Sequence, residues 1–279
     1  MTGAGVNTQR LMEIALEMAG LDEIPGDSAI HHPGDGIERV MIGIDAKAPE
    51  LLLAKRLGVD AVISHHPVGG SSTLRFHEVL WRHLGQMASA GVPREVAEPI
   101  VAELAETHRI NASMANVDHD RSVARLLELP YLNIHTPLDE IGRRRMAEVA
   151  EGLPTDASVE DFVAALRSTL VEFRAAPTDI EVRVGRAENP LGWVVISHGA
   201  GTNGGYPIAK AYFDHGIDTV VYIHCRPGDS DRLSKEIAPN KNLVVTGHIA
   251  SDAVGIAPYV DRLRREGLDV IPFSGIPPR

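Results

Sequence analysis

The sequence predicts an α/β protein of two similar lobes whose sheets are parallel or mixed. Short apolar runs alternate with helical segments along the chain, and strands separated by helices of this length pair in such sheets. The same strand–loop–helix order occurs in both halves, so we expect two lobes that face one another. The chain has 279 residues and is 44% hydrophobic, which allows a large core in one compact double-lobed unit or two domains. We expect an N-terminal lobe at 1–135, a helix-rich connection at 136–190 and a C-terminal lobe at 191–279.

In the first half, apolar side chains recur at helical spacing in several segments. Asn7 is the expected N-cap of the first helix, and Gly58 is the expected stop of the second. The helices are predicted at 7–19, 49–57, 76–90, 94–108 and 122–129. The strands are predicted at 39–44, 61–63 and 111–117.

The second half begins with a helix-rich stretch at 138–173, in which Ser158 is the expected cap of a helix at 159–171. Further helices are predicted at 207–215, 229–237, from His248 onward and at 259–266. The strands are predicted at 180–184, 192–197, 219–223, 242–247 and 269–272.

Composition excludes several classes of protein. Lys and Arg number 27 against 38 Asp and Glu, for a net charge of −11; this acidic balance argues against nucleic acid as the main partner. It leaves room for a phosphorylated small molecule, because a metal or a helix N-terminus supplies local positive charge. Cys225 is the only cysteine, which rules out an intrachain disulfide and fits a cytoplasmic protein. Neither a membrane span nor a signal peptide is expected.

Two adjacent histidines, His65 and His66, follow the apolar run at 61–63 and are followed by Pro67. Ligands in open α/β sheets gather just outside the carboxyl ends of the strands, and neutral imidazole is the commonest metal ligand. The alternative interpretation is a pair of polar residues at a strand end, one of which caps a carbonyl. The pair predicts a site for one or two metal ions.

His248 and Asp252 follow the predicted strand at 242–247. Positions i and i+4 share one face of a helix, so both side chains can converge on one ion. An exposed helix face would carry the same spacing by chance. Because both histidine elements follow strands, we favour a metal site.

Two ions need a bridging oxygen ligand, and Asp118 is the natural residue for it because it lies where a strand gives way to a helical segment. Asp120 competes for this role, but we interpret it as a helix N-cap. The string His31-His32-Pro33 precedes a strand rather than ending one, so we expect a surface turn there. The small-residue loop at 198–205 resembles a phosphate cradle without its usual spacing.

These motifs resemble, in their order along the chain, those of the NGG-interacting-factor-like family, whose bacterial members are often described as GTP cyclohydrolase I type 2 homologues. The similarity runs from residue 36 to the C-terminus. His65-His66-Pro67 resembles the family signature, and Gly247 to Asp252 resembles its Gly-His-x-x-x-Glu ending. The other similar segments are Ala112 to Asp118, against the family's His-Thr-Asn-Leu-Asp, Ile141-Gly142-Arg143, against a Gly-Arg element, and Ser197 to Gly201, against a Gly-Gly-Gly-Ser-Gly loop.

The resemblance implies a two-lobed α/β fold with a central dinuclear metal cleft, and a toroidal homohexamer. The metal ligands that it implies are His65, His66, Asp118, His248 and Asp252. The chain departs from the family pattern in three places: Met114 replaces a histidine, Tyr222-Ile223-His224 replaces Thr-Gly-Glu, and Asp252 replaces glutamate.

The expected function is a dinuclear metal-dependent hydrolase, GTP cyclohydrolase-like or active on phosphoesters or nucleotides. The alternative is a metal-binding or protein-interaction hexamer without turnover. The nitrogen and oxygen ligands suit Zn, Mn, Fe, Co or Ni and do not distinguish among them. An enzyme also needs an acid–base residue that is not a ligand; the sequence does not identify it, and His198 and His224 are the candidates.

Overall fold

A computed structural model describes residues 5–277 of the chain. The elements before residue 135 are α1 (Thr8–Ala19), β1 (Ala29–His32), β2 (Arg39–Gly43), α2 (Ala48–Arg56), β3 (Ala61–Ser64), α3 (Gly70–Leu74), α4 (Phe76–Val79), α5 (Arg82–Ser89), α6 (Arg94–Ala112), α7 (His119–Leu127) and β4 (Tyr131–Asn133). The elements after it are α8 (Thr136–Glu151), α9 (Val159–Thr169), α10 (Val171–Ala175), β5 (Glu181–Val184), β6 (Val194–Ile196), α11 (Gly205–Asp214), β7 (Thr219–Tyr222), α12 (Pro227–Glu236), β8 (Asn242–Val245), α13 (His248–Arg265) and β9 (Asp269–Phe273).

The chain divides into two compact α/β units. The first comprises the residues up to Val79, residues 107–141 and the residues from Gly255 onward; the second comprises residues 80–106 and 142–254. The predicted α/β fold with parallel or mixed sheets is confirmed. The units are not contiguous stretches of chain, whereas the sequence predicted contiguous lobes, because the C-terminal strand β9 pairs with β2.

The first unit contains a five-stranded sheet in the order β1-β4-β3-β2-β9. β1 pairs antiparallel with β4, and every other neighbouring pair is parallel. Side chains alternate between the two faces, as the pleat of a strand requires. On β3, Ala61 and Ile63 pack with α1 and the C-terminal half of α13. Val62 faces the opposite way, into a core that includes α2 and α7.

The second unit repeats this design with four strands in the order β5-β8-β7-β6. β5 is the antiparallel edge strand beside β8, and the remaining pairs are parallel. On β7, Val220 and Tyr222 pack with α5, α6 and α11. Val221 packs against α8, α9 and the start of α13. Helices therefore cover both faces of each sheet, which explains why its central strands are largely continuous apolar runs.

The N-caps predicted at Asn7 and Ser158 are confirmed. The Asn7 side chain accepts a hydrogen bond of 2.8 Å from the Arg10 amide. Ser158 forms a reciprocal capping box with Asp161 at the start of α9. These bonds satisfy amides that the first turn of a helix leaves without partners.

The strand predicted at 111–117 is wrong, and so is the turn at His31. α6 continues to Ala112, and the apolar residues Ile110 and Met114 are 48% and 73% exposed, so no buried strand face forms there. The strand that precedes α8 is β4, which has three residues. His31 lies in the edge strand β1 and is 7% exposed, with Nε2 2.9 Å from the side-chain oxygen of Asn133. No helix within residues 5–277 is long and apolar enough to cross a membrane.

Candidate metal centre

Three histidines lie together at the carboxyl edge of the first sheet. His65 and His66 follow β3, and His135 follows the neighbouring parallel strand β4. Each offers a ring nitrogen, and these three atoms lie within 4.8 Å of one another. Parallel strands end at the same edge of a sheet, so residues distant in sequence meet there.

Main-chain hydrogen bonds fix the segments that follow β3 and β4 and carry the three histidines. The amides of His65 and His66 donate to the carbonyls of Gly43 and Ile44 at 2.8 and 3.0 Å. The amide of Ile134 donates to the carbonyl of Ser64 at 3.0 Å. Sheet pairing therefore continues beyond the strands and holds the histidine backbones in place.

The Nδ1 atom of each of the three rings is anchored by an oxygen. His65 Nδ1 lies 3.0 Å from the carbonyl of Ile134. His66 Nδ1 lies 3.0 Å from a carboxylate oxygen of Asp45. His135 Nδ1 lies 2.7 Å from Asp27 Oδ2. Because Nδ1 is held, Nε2 is the nitrogen with which each ring can bind a metal, which is the usual arrangement of histidine ligands in proteins.

Asp139 supplies a carboxylate to the same place. It lies in the first turn of α8, is 3% exposed, and has its Oδ1 3.2 Å from His65 Nε2. Its other oxygen lies 3.7 Å from His135 Nε2. A carboxylate whose two oxygens face different imidazoles has the shape of a bridging ligand. His65, His66, His135 and Asp139, which we call the first-unit cluster, therefore offer nitrogen and oxygen donors that fit a divalent transition metal.

The structure does not bring Asp118 to the first-unit cluster. Asp118 is at the N-terminus of α7, and its two oxygens accept hydrogen bonds from Arg125 at 3.0 and 2.8 Å. The hydrogen bond from Arg125 is the main reason that the pKa of this exposed carboxyl is lowered. Asp120, predicted as the cap of this helix, instead accepts a hydrogen bond of 3.0 Å from the Ala48 amide. Asp139 thus occupies the place that the sequence analysis gave to Asp118.

The second unit carries its own group of polar residues at strand ends. His248 is the first residue of α13, and its Nε2 lies 3.4 Å from Asp252 Oδ2, one helical turn further on. Asp252 is 1% exposed. Gly247, with φ of 95°, makes the turn from β8 into this helix in a conformation that other residues rarely adopt. The predicted i, i+4 pair is therefore formed on one helix face, and we call it the second-unit pair.

Two more histidines end strands of the second sheet. His224 follows β7, and its ring centroid lies 4.7 Å from that of His248. Desolvation, and secondarily the charge of His248, lower the pKa of His224 to about 4, although part of its surface is exposed. His198 follows β6 and is 3% exposed. Its loop is fixed by Arg82 and Gln86, which donate to the carbonyls of Gly199 and His198 at 2.7 Å each.

The sequence analysis missed His135, Asp139, Asp27 and Asp45. A signal for the first two is present, because His135-Thr136-Pro137-Leu138-Asp139 differs from the family's His-Thr-Asn-Leu-Asp only at Pro137. It is a better match than 114–118, and it removes the apparent departure at Met114. Asp27 lies far away in sequence, and only the antiparallel pairing of β1 with β4 brings it near His135.

Comparison with known proteins identifies the family. No family model matches the chain, and no curated protein does. A NIF3 superfamily protein from Sphaerobacter thermophilus is 51% identical over 98% of this chain and 99% of its own, with a TM-score of 0.93. Reduced HcgD from Methanocaldococcus jannaschii shares the fold at 14% identity and a TM-score of 0.57, covering 96% of this chain and 98% of that one. A Bacillus cereus protein related to NIF3 does so at 11% identity and a TM-score of 0.53, covering 96% and 97%. The chain therefore belongs to the NIF3 superfamily, which is the NGG-interacting-factor-like family that its motifs resemble.

Proposed function

We propose that this protein is a hydrolase that depends on divalent metal ions. The observation that carries the proposal is the first-unit cluster, in which three histidines have Nδ1 anchored and a buried carboxylate faces two of them. Buried polar groups of this kind are costly to maintain without a role. Clusters of titratable side chains that share one site at the ends of strands are candidates for a functional site.

The residues of both units are proposed to hold metal. His65, His66, His135 and Asp139 are the ligands of the first unit, and His248 and Asp252 are those of the second. The proposal of two ions rests on the family resemblance and on the number of these donors. A bound divalent ion would acidify water and polarise the substrate at neutral pH. The nitrogen and oxygen donors suit Zn, Mn, Fe, Co or Ni.

The remaining residues would position the substrate and move protons. His198 and His224 lie at the ends of β6 and β7 and are the residues proposed for proton transfer. The fixed loop at 198–205 has small side chains that allow a close approach of ligand to backbone. We propose a small, phosphorylated substrate, with GTP cyclohydrolase-like ring opening or phosphoester hydrolysis as the reaction class. The family resemblance implies a homohexamer, and the single cysteine fits a cytoplasmic protein.

The test combines elemental analysis with an activity screen. The protein is purified, stripped with chelator and reloaded separately with Zn²⁺, Mn²⁺, Fe²⁺, Co²⁺ or Ni²⁺. Each form is then assayed on GTP and on a panel of phosphomonoesters and phosphodiesters. We expect turnover that requires metal and is lost in Asp139→Ala, while Asp118→Ala retains it. Failure of the wild type to bind any of these metals would refute the proposal.

A second function, metal binding without turnover in a regulatory assembly, has one observation in its favour. The position after β7 that carries glutamate in the family pattern is His224 here, and the preceding Tyr222 is buried with its hydroxyl bonded to the Gly205 carbonyl at 2.7 Å. The glutamate of the family pattern is therefore absent here, and the nearby Tyr222 has a structural role. Stoichiometric metal binding with no turnover on any substrate of the screen would favour this second function.

A further inference from the structure

Asp27 is a buried carboxylate outside the set of proposed ligands. It lies just before β1 and has no exposed surface. Its Oδ2 atom accepts hydrogen bonds from His135 Nδ1 at 2.7 Å and from the Thr136 hydroxyl at 2.6 Å. The hydroxyl of Ser28 lies 3.3 Å from its Oδ1. A carboxylate in this setting is retained only where donors replace the water that burial removes.

The backbone around Asp27 is tied to the same strand end. The Asn133 side-chain amide donates to the Asp27 carbonyl at 2.8 Å. The His135 amide donates to the Ser28 hydroxyl at 2.9 Å. These two hydrogen bonds tie the segment of Asp27 and Ser28 to the segment of Asn133 and His135. They therefore hold the carboxylate close to the ring.

From this geometry we propose that Asp27 is a positioning residue, which fixes the tautomer of His135 so that Nε2 presents a lone pair to the first-unit cluster. This inference rests on the proposed metal-binding function. An ionised carboxylate can only accept hydrogen bonds, so the proton between it and the ring belongs to Nδ1. In a neutral imidazole the other nitrogen then carries the lone pair. Here that nitrogen is the one 3.7 Å from Asp139 Oδ2.

The other two histidines differ in how they are held. The anchor of His65 is a main-chain carbonyl, which no substitution removes. The anchor of His66 is Asp45, whose side chain is 52% exposed, so water can replace it. The Asp27 anchor is the one fully enclosed carboxylate of the three. Its replacement therefore leaves the ring nitrogen with no solvent to take over the bond.

Asp27→Asn replaces one of the two acceptor oxygens with a donor NH2 group. The amide can place a donor against Nδ1, which favours the tautomer with the proton on Nε2, and that tautomer cannot bind a metal through Nε2. Loss of such an outer partner typically weakens metal binding about 10- to 100-fold. We expect a loss of this size for Zn²⁺, measured by competition with a chromophoric chelator on the stripped, full-length protein.

Two control variants separate positioning from general damage. Asp45→Asn removes the exposed anchor and should weaken Zn²⁺ binding by less than about 3-fold, below the usual range for an enclosed outer partner. Asp120→Asn removes another buried carboxylate of the first unit, which accepts a hydrogen bond from the Ala48 amide and lies 4.0 Å from His119, a histidine outside the first-unit cluster. It should leave Zn²⁺ affinity unchanged even where it lowers stability.

The tautomer itself is measured on the wild-type protein without metal. With ¹⁵N-labelled histidine, the nitrogen chemical shifts of His135, assigned by its loss in His135→Gln, report which nitrogen carries the proton. We expect Nδ1–H in the wild type and a shift toward Nε2–H in Asp27→Asn. Nε2–H in the wild type, or wild-type Zn²⁺ affinity in folded Asp27→Asn, would overturn the inference. A wild-type protein that binds no Zn²⁺ would defeat the proposed function, whereas the nitrogen shifts would still decide the role of Asp27.

Discussion

At the scale of single residues, the identity of the carboxylate ligand is the most direct test of the site. Asp139→Ala removes a buried side chain that faces two histidines. We expect Zn²⁺ affinity to fall by more than about 100-fold, the upper limit for outer partners, because Asp139 is proposed as a direct ligand. Asp118→Ala, which removes an exposed carboxylate paired with Arg125, should keep the wild-type metal content. Elemental analysis of both variants checks this, and equal losses would mean that the carboxylate has been misassigned.

The reason that sequence reasoning chose Asp118 is physical. His65 and His66 could be found because two adjacent histidines end a readable apolar run. His135 follows the three-residue strand β4, which is too short to show a period of two. Without a visible strand, a histidine there carries no sign that it lies at a sheet edge. Partners such as Asp27 have no sequence signal, since only tertiary pairing places them.

His31 gives a prediction about pH. Burial is the main reason that the pKa of His31 is lowered to about 4. The hydrogen bond to Asn133 opposes this shift. The folded state thus disfavours protonation, so stability is fully present above the unfolded pKa of about 6.5 and is lost as pH falls toward 4. As the pH falls from 7 to 5, His31 should lower the unfolding free energy by about 2 kcal/mol.

The measurement compares wild type with His31→Gln by urea unfolding at pH 7 and pH 5, both in chelator. Glutamine does not titrate in this range, so the variant should lose about 2 kcal/mol less than wild type on acidification. The difference between the two proteins cancels the contributions of the other histidines. An equal pH dependence in both proteins would show that His31 is not the titrating group.

At the scale of elements, local caps are readable from sequence and can be tested separately from the metal site. In α9, Ser158 accepts a hydrogen bond from the Asp161 amide at 3.1 Å, and Asp161 accepts one from the Ser158 amide at 2.9 Å. Ser158→Ala should lower the unfolding free energy by about 1 kcal/mol. Ser168→Ala, at an exposed position near the end of the same helix, should change it by less than about 0.5 kcal/mol. Chemical denaturation measures both, and a Ser158→Ala variant as stable as wild type would contradict the cap.

The strands show which elements can be predicted from the sequence and which cannot. The central strands β2, β3, β7 and β8 are apolar runs because helices cover both faces, and these were predicted close to their positions. The edge strand β1 mixes Ala29 and Ile30 with two histidines, so it lacks a continuous apolar run. β1 pairs with β4, which is distant in the sequence, so this pairing depends on the tertiary structure.

At the scale of the whole molecule, the two units repeat one plan. In each sheet the strand beside the antiparallel edge leads into a helix through the sequence His-x-x-x-Asp: His135 and Asp139 after β4, His248 and Asp252 after β8. The repeated order of strands and helices in the sequence predicted two similar lobes. The topology shows that corresponding positions in the two units also carry the same pair of residue types. Each unit thus contributes an imidazole and a buried carboxylate one turn apart, which is why we propose ligands in both.

Metal binding should therefore stabilise the whole protein. A ligand that binds only the folded state at about 100 times its dissociation constant adds about 2.7 kcal/mol to the unfolding free energy. For units of this size that amounts to a rise in Tm of about 5–10 °C. We expect Zn²⁺ to produce this rise in the stripped wild-type protein, and EDTA to reverse it.

The variants locate the origin of that stabilisation. Asp139→Asn keeps the shape of the side chain but loses the charge that we propose binds metal, so its Tm should respond little to Zn²⁺. Asp118→Asn carries the same chemical change at an exposed position paired with Arg125, so its response should equal that of wild type. Scanning calorimetry of the three proteins, with and without Zn²⁺, decides the matter. A wild-type Tm that does not move would exclude a folded-state metal site, and an equal response in all three would place the ion away from the first-unit cluster.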